Sequence, residues 1–186
     1  MTGESLVFTA DGVLAPRDYD LSFQELRTSL LVLGPGGAQA PSWDGSWRRK
    51  LVDNLETLTK QLWTVGVLDV FVDGSFVEDK DHPNDIDGYF DATGFDLDAL
   101  EDALNTLDPH HVWTWDYNRR RSVPGFAKPM LPMWIQYRVE LYPHQGQSSG
   151  IPDEFGNELE FPAAFRKSRA AKGHQPRGVI KLRKRP

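Results

Sequence analysis

The stretch Val70–Asp91, VFVDGSFVEDKDHPNDIDGYFD, decides how this chain folds. An apolar run ends in Gly74-Ser75, and eleven residues after the glycine comes Asp85-Ile86-Asp87. Leu68, Val70 and Val72 alternate with Asp69, Phe71 and Asp73, the pattern of a strand with one packed face and one partly polar face. A second strand is expected over Ile86–Phe90. The Gly74–Asn84 connection leaves little room for the long crossover that parallel neighbours need, so an antiparallel or mixed sheet is favoured.

Outward from this stretch, helices and strands interleave. Ser22 and Glu25 have capping-box spacing ahead of Leu26, Leu30 and Leu31, which predicts a helix over Leu21–Val32. Gly34–Ser42, GPGGAQAPS, reads as a loop. Trp47, Leu51, Leu55, Leu58 and Leu62 recur every three or four residues and predict a helix over Ser46–Trp63. Asp96 can cap a helix over Leu97–Leu107, with Leu97, Leu100, Leu104 and Leu107 as its stripe. Further strands are expected at Val112–Tyr117, Ile135–Tyr142 and Val179–Leu182. The fold class is α/β, a mixed sheet with helices packed mainly on one face.

Composition narrows the possible functions. A chain of 186 residues is the size of one domain, here residues 1–186 with an N-terminal helical segment and a basic tail. Neither a signal peptide nor a membrane-length apolar run is visible, so the chain reads as soluble, cytoplasmic and without a membrane partner. Without cysteine, thiolate metal sites and thiol nucleophiles are excluded, and any metal must be held by oxygen or imidazole. The net charge of −6 conceals an asymmetry: nine of the 21 Lys and Arg residues lie in Arg166–Arg185. Before Arg166, 12 basic groups face 27 acidic ones, a balance of −15. Such a tail neutralises the body's own field or catches a polyanion, and intramolecular neutralisation is the expectation for an ordinary charge run.

Period two puts Asp85 and Asp87 on one face and Ile86 on the other, so two carboxylates can converge on hard cations such as Mg²⁺. Two ions about 3.5–4 Å apart form the clamp of phosphoryl chemistry. Gly74 permits close backbone approach, and the amides and hydroxyl around Ser75 can hold phosphate oxygens. The bland alternative is a solvated acidic turn. A calcium loop counted from Asp79 fails, because Asn84 and Phe90 stand where Gly and Glu are needed. Gly34-Pro35-Gly36-Gly37 lacks the ending of a P-loop. His82, His110, His111, His144 and His174 show no zinc-like spacing beyond one adjacent pair. Trp113, Trp115 and Tyr117 are expected to pack from one strand face, with base stacking as the alternative, and Arg119, Arg120 and Arg121, which could meet an anionic acceptor, to mark a solvated turn.

Strand, Gly-Ser, a gap, then Asp-Ile-Asp resembles the signature of the polymerase-beta-type nucleotidyltransferase superfamily. DGSFVEDKDHPNDID, with ADGVLAP before it and KGHQPRGVIKL after it, is similar to a small bacterial nucleotidyltransferase-like family, and the likeness spans most of the chain. Asp73 departs from the pattern, which has an apolar residue before the glycine. The resemblance implies a nucleotidyltransferase-type sheet, a nucleoside triphosphate (ATP foremost) bound by Gly74 and Ser75, and Mg²⁺ or Mn²⁺ held by Asp85 and Asp87. It implies transfer of a nucleoside monophosphate to a hydroxyl on a protein, an RNA such as tRNA, or a small molecule. Glu140 in WIQYRVELYP takes the place of the third carboxylate, where Asp is usual, and an ordinary ion pair with Arg138 is its alternative role. On the late strand of the tail, Lys181, or Arg183 just after it, is expected to reach the phosphates. A second reading is a regulatory or nucleotide-binding module on the same fold, half of a toxin–antitoxin pair with a protein partner encoded nearby.

Overall fold

A computed structural model describes residues 5–36, 42–153, 155–168, 173 and 175–184. His174 and most of the predicted Gly34–Ser42 loop, residues 37–41, lie outside them. In chain order the elements are β1 (Asp18–Leu21), α1 (Phe23–Arg27), α2 (Leu30–Leu33), α3 (Gly45–Thr64), β2 (Val70–Asp73), β3 (Ile86–Asp91) and α4 (Leu97–Leu107). Then follow α5 (Pro132–Tyr137), β4 (Val139–His144), β5 (Ser148–Pro152), β6 (Glu158–Glu160), α6 (Phe161–Phe165) and β7 (Val179–Leu182). Five strands form one sheet in the order β1-β7-β2-β3-β4, and β5 and β6 pair as a separate hairpin. The main sheet is mixed: β2 runs antiparallel to β3 and β7, while β1–β7 and β3–β4 are parallel. No helix among the described residues is long and apolar enough to cross a membrane.

The two faces of this sheet differ as the alternation in β2 predicts. Val70, Val72, Ile86, Phe90, Val139 and Ile180 are fully buried in one core with Leu51, Leu55, Leu58 and Leu62 of α3 and Leu104 of α4. The opposite face carries Phe71 stacked on Tyr89 at 4.7 Å, partly covered by Phe161 and Phe165 of α6. Leu68, expected to pack, precedes β2 and is 62% exposed.

Three expectations need correction. The first helix starts after β1, at Phe23, with the Ser22–Glu25 capping box in place, and is interrupted at Thr28–Ser29. There the Ser29 hydroxyl donates to Leu26 O (2.7 Å) and accepts from Leu31 N (3.2 Å), competing with the helical ladder and capping α2 anew. Val112–Tyr117 forms no strand. The Asn105 side chain bonds both backbone groups of Trp113, at 2.9 and 2.7 Å, and so replaces a strand partner; Trp113 is buried while Tyr117 is 72% exposed. Within Ile135–Tyr142 only the last part is strand. Pro132 opens α5 at the first helical turn, a position proline tolerates, and Arg138 ends it with φ of 56° before β4 begins. Arg138 stacks on Trp134, 3.9 Å from the ring centre, and not on Glu140.

One buried cation organises the loop that leaves β2. Arg48, on α3 and without solvent exposure, donates to the carbonyls of Leu31 (2.8 Å), Phe76 (2.8 Å), Glu78 (3.1 Å) and Lys80 (2.6 Å) and lies over the Trp43 ring. Burial pulls its guanidinium down to about 9, with Asp79 and Asp81 acting in the opposite direction. Arg48→Met strips these carbonyls of their donors, at about 1–3 kcal/mol for each acceptor left buried and unpaired. At roughly 2–4 °C per kcal/mol for a chain of this size, calorimetry is expected to show a melting temperature lower by about 6 °C or more. An unchanged value would mean that water takes over the guanidinium's role.

Candidate functional site

β2 ends at Asp73, and a 3₁₀ turn over Gly74–Val77 follows. Register pairs Asp73 with Asp87, and Asp87 in turn with Glu140, so three carboxyl-bearing residues stand abreast on β2, β3 and β4. They share the sheet face of Phe71, Tyr89 and Tyr142, and Asp85 precedes Asp87 on that face. Gly74 has φ of 74°, and a Cβ there would lie 2.3 Å from Asp87 Oδ2. Both the turn and the packing of the Asp-Ile-Asp stretch against it require glycine.

Two adjacent cavities open over this row, of about 570 and 620 Å³, and share Asp87, Lys128 and Tyr142 as wall residues. The first is walled also by Asp73, Gly74 and Arg177, with Leu159 and Phe165 on its apolar side. The second has Ser75, Asp85 and Glu140 together with Lys80 and Arg120. Gly74, Ser75, Asp85, Asp87 and Glu140, chosen from sequence, therefore surround one divided space. Lys181 does not join them. Its ammonium pairs with Asp69 at 2.8 Å, and its register partner is Phe71, three positions before Gly74 on β2.

The carboxylates are held individually. Asp85 Oδ2 accepts from Trp134 Nε1 at 2.7 Å. Glu140, 8% exposed, accepts from the Tyr142 hydroxyl at 2.5 Å and has the Arg120 guanidinium at 3.6 Å. Arg120 also donates to the Tyr142 hydroxyl (2.9 Å) and to Pro129 O (3.2 Å). Burial and then the Glu140 charge push the Tyr142 phenol well above its usual range, so it stays a donor. Among the described residues, no three His, Asp or Glu side chains are gathered closely enough to hold a metal ion. The donors themselves are hard oxygens, the type Mg²⁺ prefers, but Asp85 and Glu140 are tied to Trp134 and Tyr142.

Sequence reasoning assigned Arg120 to a solvated turn and missed Arg177, Lys128 and Tyr142. Spacing gives no signal for them, since they arrive from segments remote from the Gly-Ser turn. Arg177 explains why an aspartate precedes Gly74. Its guanidinium, 7% exposed, bonds Asp73 Oδ2 at 2.7 Å and Glu78 Oε1 at 3.0 Å, spanning both ends of the turn. Burial raises the Asp73 carboxyl to about 7, opposed by Arg177 and assisted by the nearby Glu78 charge.

A mixed α/β sheet whose Gly-Ser turn faces a carboxylate row and a divided polar cavity defines the class of this protein. The chain belongs to DUF6932, a family of unknown function, whose sequence profile matches residues 6–183. No curated protein and no solved structure matches it.

The raised Asp73 carboxyl has a measurable consequence for stability. Because its folded value of about 7 exceeds the unfolded 3.8, its contribution is fully present below about pH 4 and is lost as pH rises through 7. Glu25, held at about 2 mainly by Ser22, works in the opposite direction, so the informative comparison is parent against variant. Urea unfolding across this range is expected to show parent stability falling relative to Asp73→Asn as pH rises from 4 to 7. A pH-independent difference would mean that Asp73 is ionised throughout.

Proposed function

We propose that the protein is a Mg²⁺-dependent nucleotidyltransferase that moves a nucleoside monophosphate from a triphosphate, ATP foremost, to a hydroxyl acceptor. The observation that carries this reading is the convergence of Gly74, Ser75, Asp85, Asp87 and Glu140 on one divided cavity, with Asp87 at the partition. The pairing of Glu140 with Asp87 on neighbouring strands supports it further, since the resemblance asks for a third carboxylate on a later strand. A nucleotidyltransferase-type fold is part of the same proposal.

In this reading the Gly74–Ser75 turn seats the phosphates, and Lys128, exposed and standing between the two cavities, reaches them in the role expected of Lys181. Mg²⁺, when bound by Asp85 and Asp87 with Glu140, neutralises phosphate charge at the reacting centre. The acceptor oxygen attacks the α-phosphorus, a P–O bond forms, and the bond to the oxygen bridging to the β-phosphate breaks, releasing pyrophosphate. The hydroxyl proton passes to the Glu140 carboxylate, directly or through water. Arg120 and the Tyr142 hydroxyl position that carboxylate. Positioning and charge neutralisation supply the acceleration, and no covalent enzyme intermediate is required.

One observation favours the second reading, a nucleotide-binding or regulatory module such as half of a toxin–antitoxin pair. Asp85 and Glu140 are each engaged by neighbouring donors and must release them to serve a cation. Incubation with labelled triphosphates, Mg²⁺ and cell extract separates the two, because only the enzyme leaves label on protein, RNA or a small molecule.

Calorimetric titration of the Asp85→Asn, Asp87→Asn double variant is expected to lose the Mg²⁺-dependent part of triphosphate affinity; retention of that part would remove these residues from the site. Glu140→Gln is expected to keep triphosphate binding and lower transfer by about 100-fold or more, the typical contribution of a positioned base. Transfer at the parent rate would exclude Glu140 from proton removal.

A further inference from the structure

The β5–β6 hairpin and α6 take no part in the five-stranded sheet, and none of their described residues belongs to the apolar cluster that α3 and the sheet enclose. Their apolar side chains wall the first cavity instead: Ile151 of β5, Leu159 of β6 and Phe165 of α6 border it together with Gly74 and Arg177. Ile151 is 47% exposed, and Leu159 and Phe165 are half-buried. Apolar groups that stay accessible in a concavity and add nothing to the core are placed for a ligand.

This wall is tied to the turn that follows β2. Arg177, which bonds Asp73 and Glu78 at the two ends of that turn, also donates through Nε to Phe165 O at 3.1 Å. Just beyond α6, Ser168 N donates to Gln175 O at 2.8 Å, and the Ser168 hydroxyl accepts from Gln175 N at 2.9 Å. The Phe165 ring packs on Tyr89 at 5.2 Å and on Phe161 at 4.9 Å, and Leu159 O accepts from the Ser149 hydroxyl at 2.7 Å. Ring and turn are therefore held at a set spacing before any ligand arrives. The second cavity is arranged otherwise: its ring, Phe126, stands edge-on against Trp134, which bonds Asp85, and the cavity contains Glu140.

We propose that the first cavity is the nucleoside subsite of the triphosphate, with the base against Leu159 and Phe165, and that the second cavity admits the acceptor. This assignment rests on the nucleotide reading above. Nucleoside and acceptor are both joined to the α-phosphorus as transfer occurs, so each needs its own space. Glu140, which takes the acceptor's proton in that reading, borders only the second cavity; the nucleoside then extends past Asp87, the wall common to both, into the first. There Lys128 and Arg177 stand on the polar side and Ile151, Leu159 and Phe165 on the apolar side, the combination that a phosphate joined to a flat ring requires. An aromatic face stacks on every base, so this wall distinguishes a nucleoside triphosphate from bare polyphosphate and accepts more than one base.

The test is calorimetric titration of the full chain with ATP, GTP, CTP and UTP, with their nucleosides and with inorganic tripolyphosphate, each with and without Mg²⁺. The parent is expected to bind at least one nucleoside triphosphate about tenfold or more tighter than tripolyphosphate, within the range that one stacked base supplies. Leu159→Asn and Phe165→Leu are each expected to lower that triphosphate affinity by about fivefold or more and to leave tripolyphosphate affinity unchanged. Ile151→Asn, at an exposed position, is expected to shift the same ratio and keeps the test valid where Phe165→Leu costs stability. Melting temperatures equal to the parent's confirm that the other variants are folded. Tripolyphosphate bound as tightly as every nucleoside triphosphate, or parent-like triphosphate affinity in all three variants, overturns the subsite. So does an equal loss for tripolyphosphate, which would make the wall structural. Octyl phosphate bound as tightly as the best triphosphate, with the same Leu159 dependence, would assign the wall to acyl chains and overturn it too. If nucleosides bind through Leu159 but Mg²⁺ adds nothing to triphosphate affinity, the transfer reading falls and the subsite stands. If Mg²⁺ strengthens triphosphates and tripolyphosphate to the same affinity, the subsite falls alone. A parent that binds none of these ligands removes both.

Discussion

A single guanidinium, that of Arg177, ties the C-terminal segment to the turn on which the site is built. It reaches Asp73 at one end of the Gly74–Val77 turn and Glu78 at the other, while its Nε donates to the Phe165 carbonyl on α6 at 3.1 Å. Two residues further on, β7 enters the sheet between β1 and β2. Strand order, turn shape and the placement of α6 over the polar face therefore all pass through one buried ion-pair cluster. Removing Arg177 leaves the buried Glu78 carboxylate without its cation, at about 3–5 kcal/mol, whereas an exposed pair contributes little. Arg48 holds the same loop from the α3 side through carbonyls instead of charges. Between the two arginines, the segment that must present Ser75 and Asp85 has little freedom.

This arrangement accounts for the charge asymmetry of the chain. Among the described residues of the basic tail, Arg166 pairs with Asp18, Arg177 with Asp73, Lys181 with Asp69 and Arg183 with Glu25. These four of the tail's nine cations neutralise carboxylates of the acidic body and hold the sheet edge and the turn. The cations left facing the cavities, Lys80 and Lys128, come from loops.

Much of the fold was legible where periodicity is strong: the 3.6-residue stripe of α3, the Leu97–Leu107 helix with its Asp96 cap, and the strand alternation on either side of Gly74-Ser75. What failed was local chemistry that overrides pattern. Asn105 satisfies Trp113 and removes a strand; Ser29 breaks a helix; Pro132 and the left-handed Arg138 turn half an expected strand into α5. Glu140 falls on the carboxylate face because β4 starts at Val139 and pairs Glu140 with Asp87. For the site, residues close in sequence to Gly74 could be chosen by spacing. Arg177, Tyr142, Arg120 and Lys128 could not, because they come together only through the insertion of β7 and the parallel pairing of β4 with β3. Lys181 was expected near the phosphates as a cation on the late strand, but register places it opposite Phe71 and its ammonium pairs with Asp69.

In the proposed function the Gly-Ser turn and the carboxylate row form one nucleotide site. The most direct test is a crystal structure of the protein soaked with a non-hydrolysable triphosphate and Mg²⁺. Phosphate oxygens are expected against Gly74 and Ser75 and a cation between Asp85 and Asp87, with Trp134 released from Asp85. Nucleotide bound elsewhere, or an unchanged Asp85–Trp134 contact beneath an empty turn at saturating ligand, would contradict it.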